Sequence, residues 1–496
     1  MENASGCSGL LANRLRFSPR WVCIAATIGL MVAFTPASAA AQAQAPCPSP
    51  VPTPVPPPNL TAPEATLVPE DVCIPAFVPG GLPIDYFDNY SWRAFIALVW
   101  PALTGQRGVP DPNQPITASD RPLVFETYKA DWETFQPGGV PPSEFNSNSS
   151  FWTSNPTQSP CPQAKPGDFL LAPVSKFGNV GLAGLGDLVS VLIVQNGTFV
   201  RYLAAYNQIE FNQILAQQLY LAAKLPQSQN PVGPNIVFQN GSLDVKSAWI
   251  DMRNVPNPQR YHTRLAWLVD PISGQCSNAP VAVGLVGLHI VQKTQKAPQW
   301  IWSTFEQIDN VPPPGYVPPT PPTKPTQTFT FNDGAATTMP TDIPTNFIWS
   351  NAKNATTPPE PVNIERLTPI HSKTAATNVI WQNALKAQNS VWQFYQLTMT
   401  QWPVPSSAPG NPGSIQFSFP GAGAASSAYA NTTLETWDQT NIRRGCMNCH
   451  NSVQNNDFVW SLQMNAFTPA QAALAARPSS PAVTALRSLL EGHIKQ

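Results

Sequence analysis

The sequence predicts a β-rich α+β fold: a large β-sandwich-like region with a few helices and a small α-helical C-terminal segment. Three observations carry that expectation. Short runs rich in Val, Ile, Leu, Tyr and Trp crowd residues 185–310, separated by turn-forming residues. Proline is abundant, at 58 of 496 residues, while charged residues make up only 11% of the chain, far below the usual quarter. Long loops and few solvated helix faces follow from that balance. Aromatic residues reach 10%, which supplies apolar surface for a sizeable core and argues against disorder.

Taken in order, the chain opens with Arg14, Arg16 and Arg20 ahead of an apolar run from Trp21 to Phe34, then Ala37-Ser38-Ala39. That order of charged, apolar and small residues predicts a secretory signal peptide over residues 1–39. The apolar run is about 14 residues, short for crossing a bilayer, and no later stretch is longer, so no stable membrane insertion is expected. Residues 40–83 read as a proline-rich N-terminal arm, with proline at nearly every second position from Pro46 to Pro63. The main β-rich domain is expected over residues 84–408. Within it, Trp92–Trp100 has helical apolar spacing and stops at Pro101. Strands at Leu188–Val194 and Thr198–Tyr206 flank Asn196-Gly197, a strong hairpin signal. A helix should follow with Phe211, Leu215, Leu219 and Ala222 on one face, then a second hairpin at Asn240-Gly241 leading into Leu243–Trp249. Further strands are expected at Arg264–Val269, Val281–Gln292 and Gln299–Gln307. Residues 311–346 form a long loop rich in proline and threonine. Asn378–Tyr395 reads as a helix carrying Ile380, Trp381, Leu385, Trp392 and Phe394. Residues 409–430 are rich in Gly, Ala and Ser, and two short helices should close the chain, Pro469–Ala476 and Pro481–Ile494, each with proline in its first turn.

The chemistry concentrates in Cys446-Met447-Asn448-Cys449-His450. Two cysteines three apart, followed at once by histidine, form the attachment pattern of a c-type haem. Each thiol can add to one porphyrin vinyl group, and the adjacent imidazole then sits beneath the iron as its proximal ligand. The rival readings are a redox dithiol and half of a zinc site, but the sequence offers no second Cys/His pair at zinc-ligand spacing. One covalently attached haem c is therefore expected on Cys446, Cys449 and His450, in a C-terminal haem c segment over residues 409–496. Covalent haem attachment in bacteria occurs outside the cytoplasm, which agrees with the signal peptide and predicts a periplasmic or secreted protein.

The whole chain carries 27 Lys and Arg against 28 Asp and Glu. Removing residues 1–39 takes away three Arg and one Glu, so 24 basic and 27 acidic residues remain. Nothing in that balance suggests nucleic acid. Four further cysteines, Cys47, Cys73, Cys161 and Cys276, allow three pairings in an oxidising compartment, and sequence proximity favours Cys47–Cys73 with Cys161–Cys276.

The second axial position decides whether the iron is closed or open. Met464 is the first candidate, 14 residues past His450, although its apolar surroundings also suit core packing. His289 is the second; it stands mid-strand in an apolar run, where a histidine bonded to a carbonyl or carboxylate is the simpler expectation. His262, His371 and His493 read as loop or surface residues. Glu306 should share a strand face with Trp300, Trp302 and Thr304, with an exposed strand end or a pairing with Lys246 or Lys293 as its ordinary role.

The strings Ser91–Pro101, Arg121–Lys129, Gly241–Trp249, Gly284–Thr294, Gln299–Asn310 and the C-terminal C-M-N-C-H resemble those of a group of exported bacterial proteins known as cytochrome c family proteins. The resemblance implies haem and export and no particular substrate. Histidine often stands in that group where this chain has Gln307. Three functional classes follow: a monohaem cytochrome passing electrons to a redox partner protein, a haem-dependent oxidoreductase of oxidase or peroxidase type with a small-molecule substrate pocket in the β-rich domain, or a ligand-binding module carrying a haem.

Overall fold

The computed structural model describes residues 58–74, 83–118, 120–147, 161–165, 167–171, 192–226, 236–270, 275–318, 329–335, 361–403, 417–418, 430–436, 439 and 450–468. The expected signal peptide, most of the proline-rich arm, most of the 311–346 loop and both terminal helices lie outside the described residues. The fold is β-rich α+β, built on a curled mixed sheet with few helices. No described helix is long and apolar enough to cross a membrane.

Nine strands are described: β1 (Lys129–Ala130), β2 (Phe169–Leu171), β3 (Arg201–Tyr206), β4 (Leu243–Asp251), β5 (Thr263–Leu268), β6 (Val281–Gln292), β7 (Ile301–Gln307), β8 (Tyr395–Pro403) and β9 (Phe417–Ser418). They join in one sheet of order β1-β3-β4-β6-β7-β8-β9, with β5 paired to β6 and β2 lying parallel to β5. The expected sandwich is thus replaced, among the described residues, by a single sheet. Long β6 explains the branching. Its one edge is taken by β4, while the other is shared between β5 along residues 281–284 and β7 along residues 287–292.

The described helices are α1 (Ile84–Leu98), α2 (Asp131–Thr134), α3 (Gln208–Ala216), α4 (Ser372–Ala387) and α5 (Trp460–Asn465). α1 starts earlier than its apolar spacing suggests, directly after Pro83, and is buried over most of its length. It packs with α4 on one face of the sheet. Trp92 of α1 stacks on Trp381 of α4 at 5.8 Å and meets Phe305 of β7 edge-on at 5.1 Å, while Phe95 stacks on Phe305 at 4.3 Å. Such rings each bury a large apolar area and dominate the core energetics. Ser91 completes the contact, 2.7 Å from the Ser303 hydroxyl and 2.8 Å from that of Thr400.

The helix expected over Asn378–Tyr395 differs from the observed chain path. α4 begins at Ser372 and ends at Ala387, and Tyr395 opens β8. Asn389 takes a left-handed φ of 54°, which breaks the helix, and the Ser390 side chain then caps a short 3-10 turn. The Asn196-Gly197 turn forms as expected, closed by a 2.8 Å bond from Val194 N to Thr198 O. Asn240-Gly241 leads into β4, but Gln239 bonds the Gln213 side chain instead of a partner strand, so the second hairpin does not form there. Cys161 and Cys276 are joined by a disulfide with Cα atoms 4.9 Å apart. Cys73 is also disulfide-bonded, and Cys47 lies outside the described residues.

Candidate functional site

The sheet face opposite α1 and α4 assembles the candidate site. Strand alternation puts Lys246 of β4, His289 of β6 and Thr304 of β7 in one row, with Lys246 opposite His289 and His289 opposite Thr304. Trp302 and Glu306 lie on the same face, two residues to either side of Thr304. Trp300, expected to share that face, precedes the strand with a φ of 70°.

Two stretches of the C-terminal region cover this face. Asn431 donates to the Thr304 hydroxyl at 2.8 Å and to the Phe305 carbonyl at 3.0 Å. The Glu306 carboxylate accepts from Thr432 N at 2.5 Å and from its hydroxyl at 2.9 Å, and it is ion-paired with Arg366. Glu306 is therefore a buried anchor paired with Arg366, not an exposed strand end or a partner of Lys246 or Lys293. Tyr202 donates to the Thr433 carbonyl at 2.7 Å. Gly287 permits the close approach: a Cβ there would fall 2.2 Å from the Thr433 hydroxyl oxygen. The second stretch is held by Ile236 N to Asn455 O at 3.0 Å, Phe238 N to the Asp457 carboxylate at 2.7 Å and Phe467 N to Tyr220 O at 2.9 Å. Lys293 and Asp457, both buried, form an ion pair at 2.5 Å.

His450 lies at the head of that second stretch, half-buried against Trp302, whose ring centroid is 4.3 Å away. Its Nδ1 is 2.6 Å from the Phe458 carbonyl oxygen. A carbonyl can only accept, so Nδ1 carries the hydrogen and Nε2 keeps a free lone pair. The backbone turns back to present that carbonyl through two consecutive left-handed residues, Asp457 (φ 53°) and Phe458 (φ 69°). Non-glycine residues adopt such angles at a cost, and the Asp457 contacts with Lys293 and Phe238 hold the turn. Burial pushes the His450 imidazole down to about 4, the Phe458 bond opposes this, and Lys246 and His289 add to it. At neutral pH the ring is uncharged. A neutral imidazole with Nδ1–H bonded to a carbonyl and Nε2 unprotonated fits an axial iron ligand.

His289 is half-buried on the same face, with Nε2 3.2 Å from the Glu435 carboxylate but not aligned as a hydrogen bond. Burial alone would raise Glu435; the neighbouring His289, with Lys246 and the Asn431 backbone, holds it below the usual carboxylate value. Met464 lies on α5, half-buried and outside the main apolar core, whereas Leu462 of the same helix is fully buried in it. The core-packing role expected for Met464 thus falls to Leu462. Cys446, Cys449 and His493 lie outside the described residues. His371 caps α4, accepting from Lys373 N. His262, expected in a loop or at the surface, is instead buried, with Nε2 2.7 Å from Glu126, because β5 begins one residue later and Tyr395 bonds its backbone.

Glu435, Phe458 and the Lys293–Asp457 pair escape sequence reasoning. Their contacts with His289, His450 and each other join distant segments, and no local spacing marks them. Gln307, where the resembling group often has histidine, is buried and donates to Asp309 at 3.2 Å. Comparison with protein-family models, with curated proteins and with solved structures yields no match to this chain.

Proposed function

We propose that this chain is an exported monohaem c-type cytochrome that carries electrons, with haem c attached covalently to Cys446 and Cys449 and His450 as proximal ligand. The observation that carries the reading is the His450 imidazole, neutral, shielded by Trp302 and fixed in one tautomer by the Phe458 carbonyl. When bound, haem c supplies a one-electron iron couple tuned by its axial ligands, hydrogen bonds and burial. The chain's own residues do the rest. Phe458 orients the proximal imidazole, Trp302 keeps water from it, and Asn431, Thr432 and Asp457 fasten the haem c segment, residues 409–496, to the β-rich domain. Between the two candidates for the distal position, His289 is favoured over Met464. It shares the covered sheet face with Trp302, the ring that packs on His450. Export by the 1–39 signal peptide makes the protein periplasmic or secreted, with a redox partner protein as its electron donor or acceptor.

A second reading is favoured by the His289–Glu435 pair. An imidazole beside a carboxylate is a competent acid–base group, so a haem-dependent oxidoreductase of oxidase or peroxidase type is the alternative. Optical and EPR spectra of the purified ferric protein test both. A c-type spectrum that is low-spin and inert to cyanide is the expected result, with the low-spin signal lost in His289→Ala. A high-spin signal with rapid cyanide binding transfers the assignment to the oxidoreductase. A purified, exported chain with no haem spectrum overturns both.

A further inference from the structure

A cleft of about 250 Å³ opens on the other face of the sheet. Its floor includes Leu203 and Ala205 of β3 and Val245 and Ser247 of β4. These alternate with Lys246 along the strands, so the cleft and the His450 face are separated by the sheet itself. Tyr128, Trp132 and Phe169 contribute aromatic wall, and the exposed 104–106 turn and Asp168 form part of the rim.

We propose that this cleft binds a neutral, hydroxyl-rich ligand of the saccharide class. Its three acidic and three basic side chains balance, and two ion pairs join four of them. Arg107 meets Glu133 at 2.6 Å, Arg264 lies 3.4 Å from Glu126, and Asp168 accepts from Lys165 N at 2.8 Å and from Trp267 at 2.8 Å. An anionic ligand would face three carboxylates and a cationic one three basic side chains, so neither sign is favoured. A wholly apolar ligand would strip water from the ion pairs and return no hydrogen bonds. A hydroxyl both donates and accepts, and it can meet a guanidinium and a carboxylate at once. The Arg264 guanidinium lies over the Phe169 ring, 5.9 Å from its centroid, so this wall pairs an aromatic ring with a planar donor, and Tyr128 and Trp132 add further rings of the kind that pack on the C–H face of a pyranose.

Titration calorimetry on the full-length protein tests this. The probes are glucose, galactose, mannose, xylose, cellobiose and maltose, set against glucuronate and glucose 6-phosphate. Saturable binding of at least one neutral sugar is expected, weakened about tenfold or more in Arg264→Gln and in Phe169→Ala. Arg264→Gln leaves the Glu126–His262 contact in place, and thermal melting identifies any variant that fails to fold. Three results overturn the proposal: no saturable binding by any neutral probe, tighter binding of the two anionic sugars, or binding indifferent to both folded substitutions. The haem reading is tested by spectra and this one by sugar binding, so either can fail while the other stands.

Discussion

Trp302 and His450 face each other with ring centroids 4.3 Å apart and planes inclined at 59°. One residue belongs to a central strand and the other closes the proposed haem-attachment motif, so this contact joins the sheet to the proposed redox centre. Trp302→Ala is expected to cost about 3–5 kcal/mol of stability, as for other buried tryptophans. It should also admit water to His450 and shift the haem absorption bands. Urea unfolding and optical spectra check this; an unchanged spectrum in the folded variant would show that Trp302 does not shape the iron environment.

Gly287 lies beneath Thr433, where even a methyl group has no room. Gly287→Ala should therefore lift residues 431–436 from the sheet and destabilise the protein by about 1–3 kcal/mol, the usual cost of overpacking. Limited proteolysis is expected to cut the C-terminal region faster in the variant than in the parent. Equal cleavage rates would contradict the close approach.

Lys293 and Asp457 form a buried ion pair at 2.5 Å. Lys293→Met leaves a carboxylate buried without its cation, at a cost of about 3–5 kcal/mol. The double variant Lys293→Met with Asp457→Asn should recover a large part of that loss, because no charge is then stranded. A double-mutant cycle by denaturant unfolding measures the coupling.

Asp88 on α1 is fully buried, accepting from the Thr374 and Thr400 hydroxyls at 2.6 and 2.8 Å. Burial raises its carboxyl to about 7, against the two hydroxyl bonds and Lys373, which lower it; Asp85 adds to the rise. Between pH 4 and 7 the native state therefore holds a proton that the unfolded chain has released. Its stabilising contribution is fully present below pH 4 and is lost as pH rises through 7, with a slope of at most about 1.4 kcal/mol per pH unit for one group. Asp131 is raised in the same way, also mainly by burial. Asp88→Asn should flatten part of the decline in stability from pH 4 to 7, measured by urea unfolding across that range; an unaltered slope would exclude Asp88 as a contributor.

The sequence made β6 legible to the residue, because a twelve-residue apolar run bounded by polar ends fits little besides a long buried strand. It misled just before β8, where Trp392 and Phe394 continue the apolar spacing of α4 but lie past the left-handed break at Asn389, in a short 3-10 turn. The sandwich expectation arises because strands covered on both faces look alike whether a second sheet, helices or returning chain does the covering. Here α1 and α4 cover one face and residues 430–436 and 450–467 help cover the other. The role proposed for His450 rests on a local pattern with the two cysteines. Trp302 and Phe458 could not be assigned to it, since neither signals the close approach to the imidazole.

The C-terminal region is stitched to the sheet on both sides of the cysteine motif, by Asn431 and Thr432 before it and by Asp457 and Phe467 after it. Each anchor binds residues far away in the chain, so the two ends of the stretch between them are placed by the folded sheet and not by the stretch itself. Whatever chemistry is carried between those ends is tied to the folding of the sheet, and a chain whose sheet fails to form loses both tethers at once.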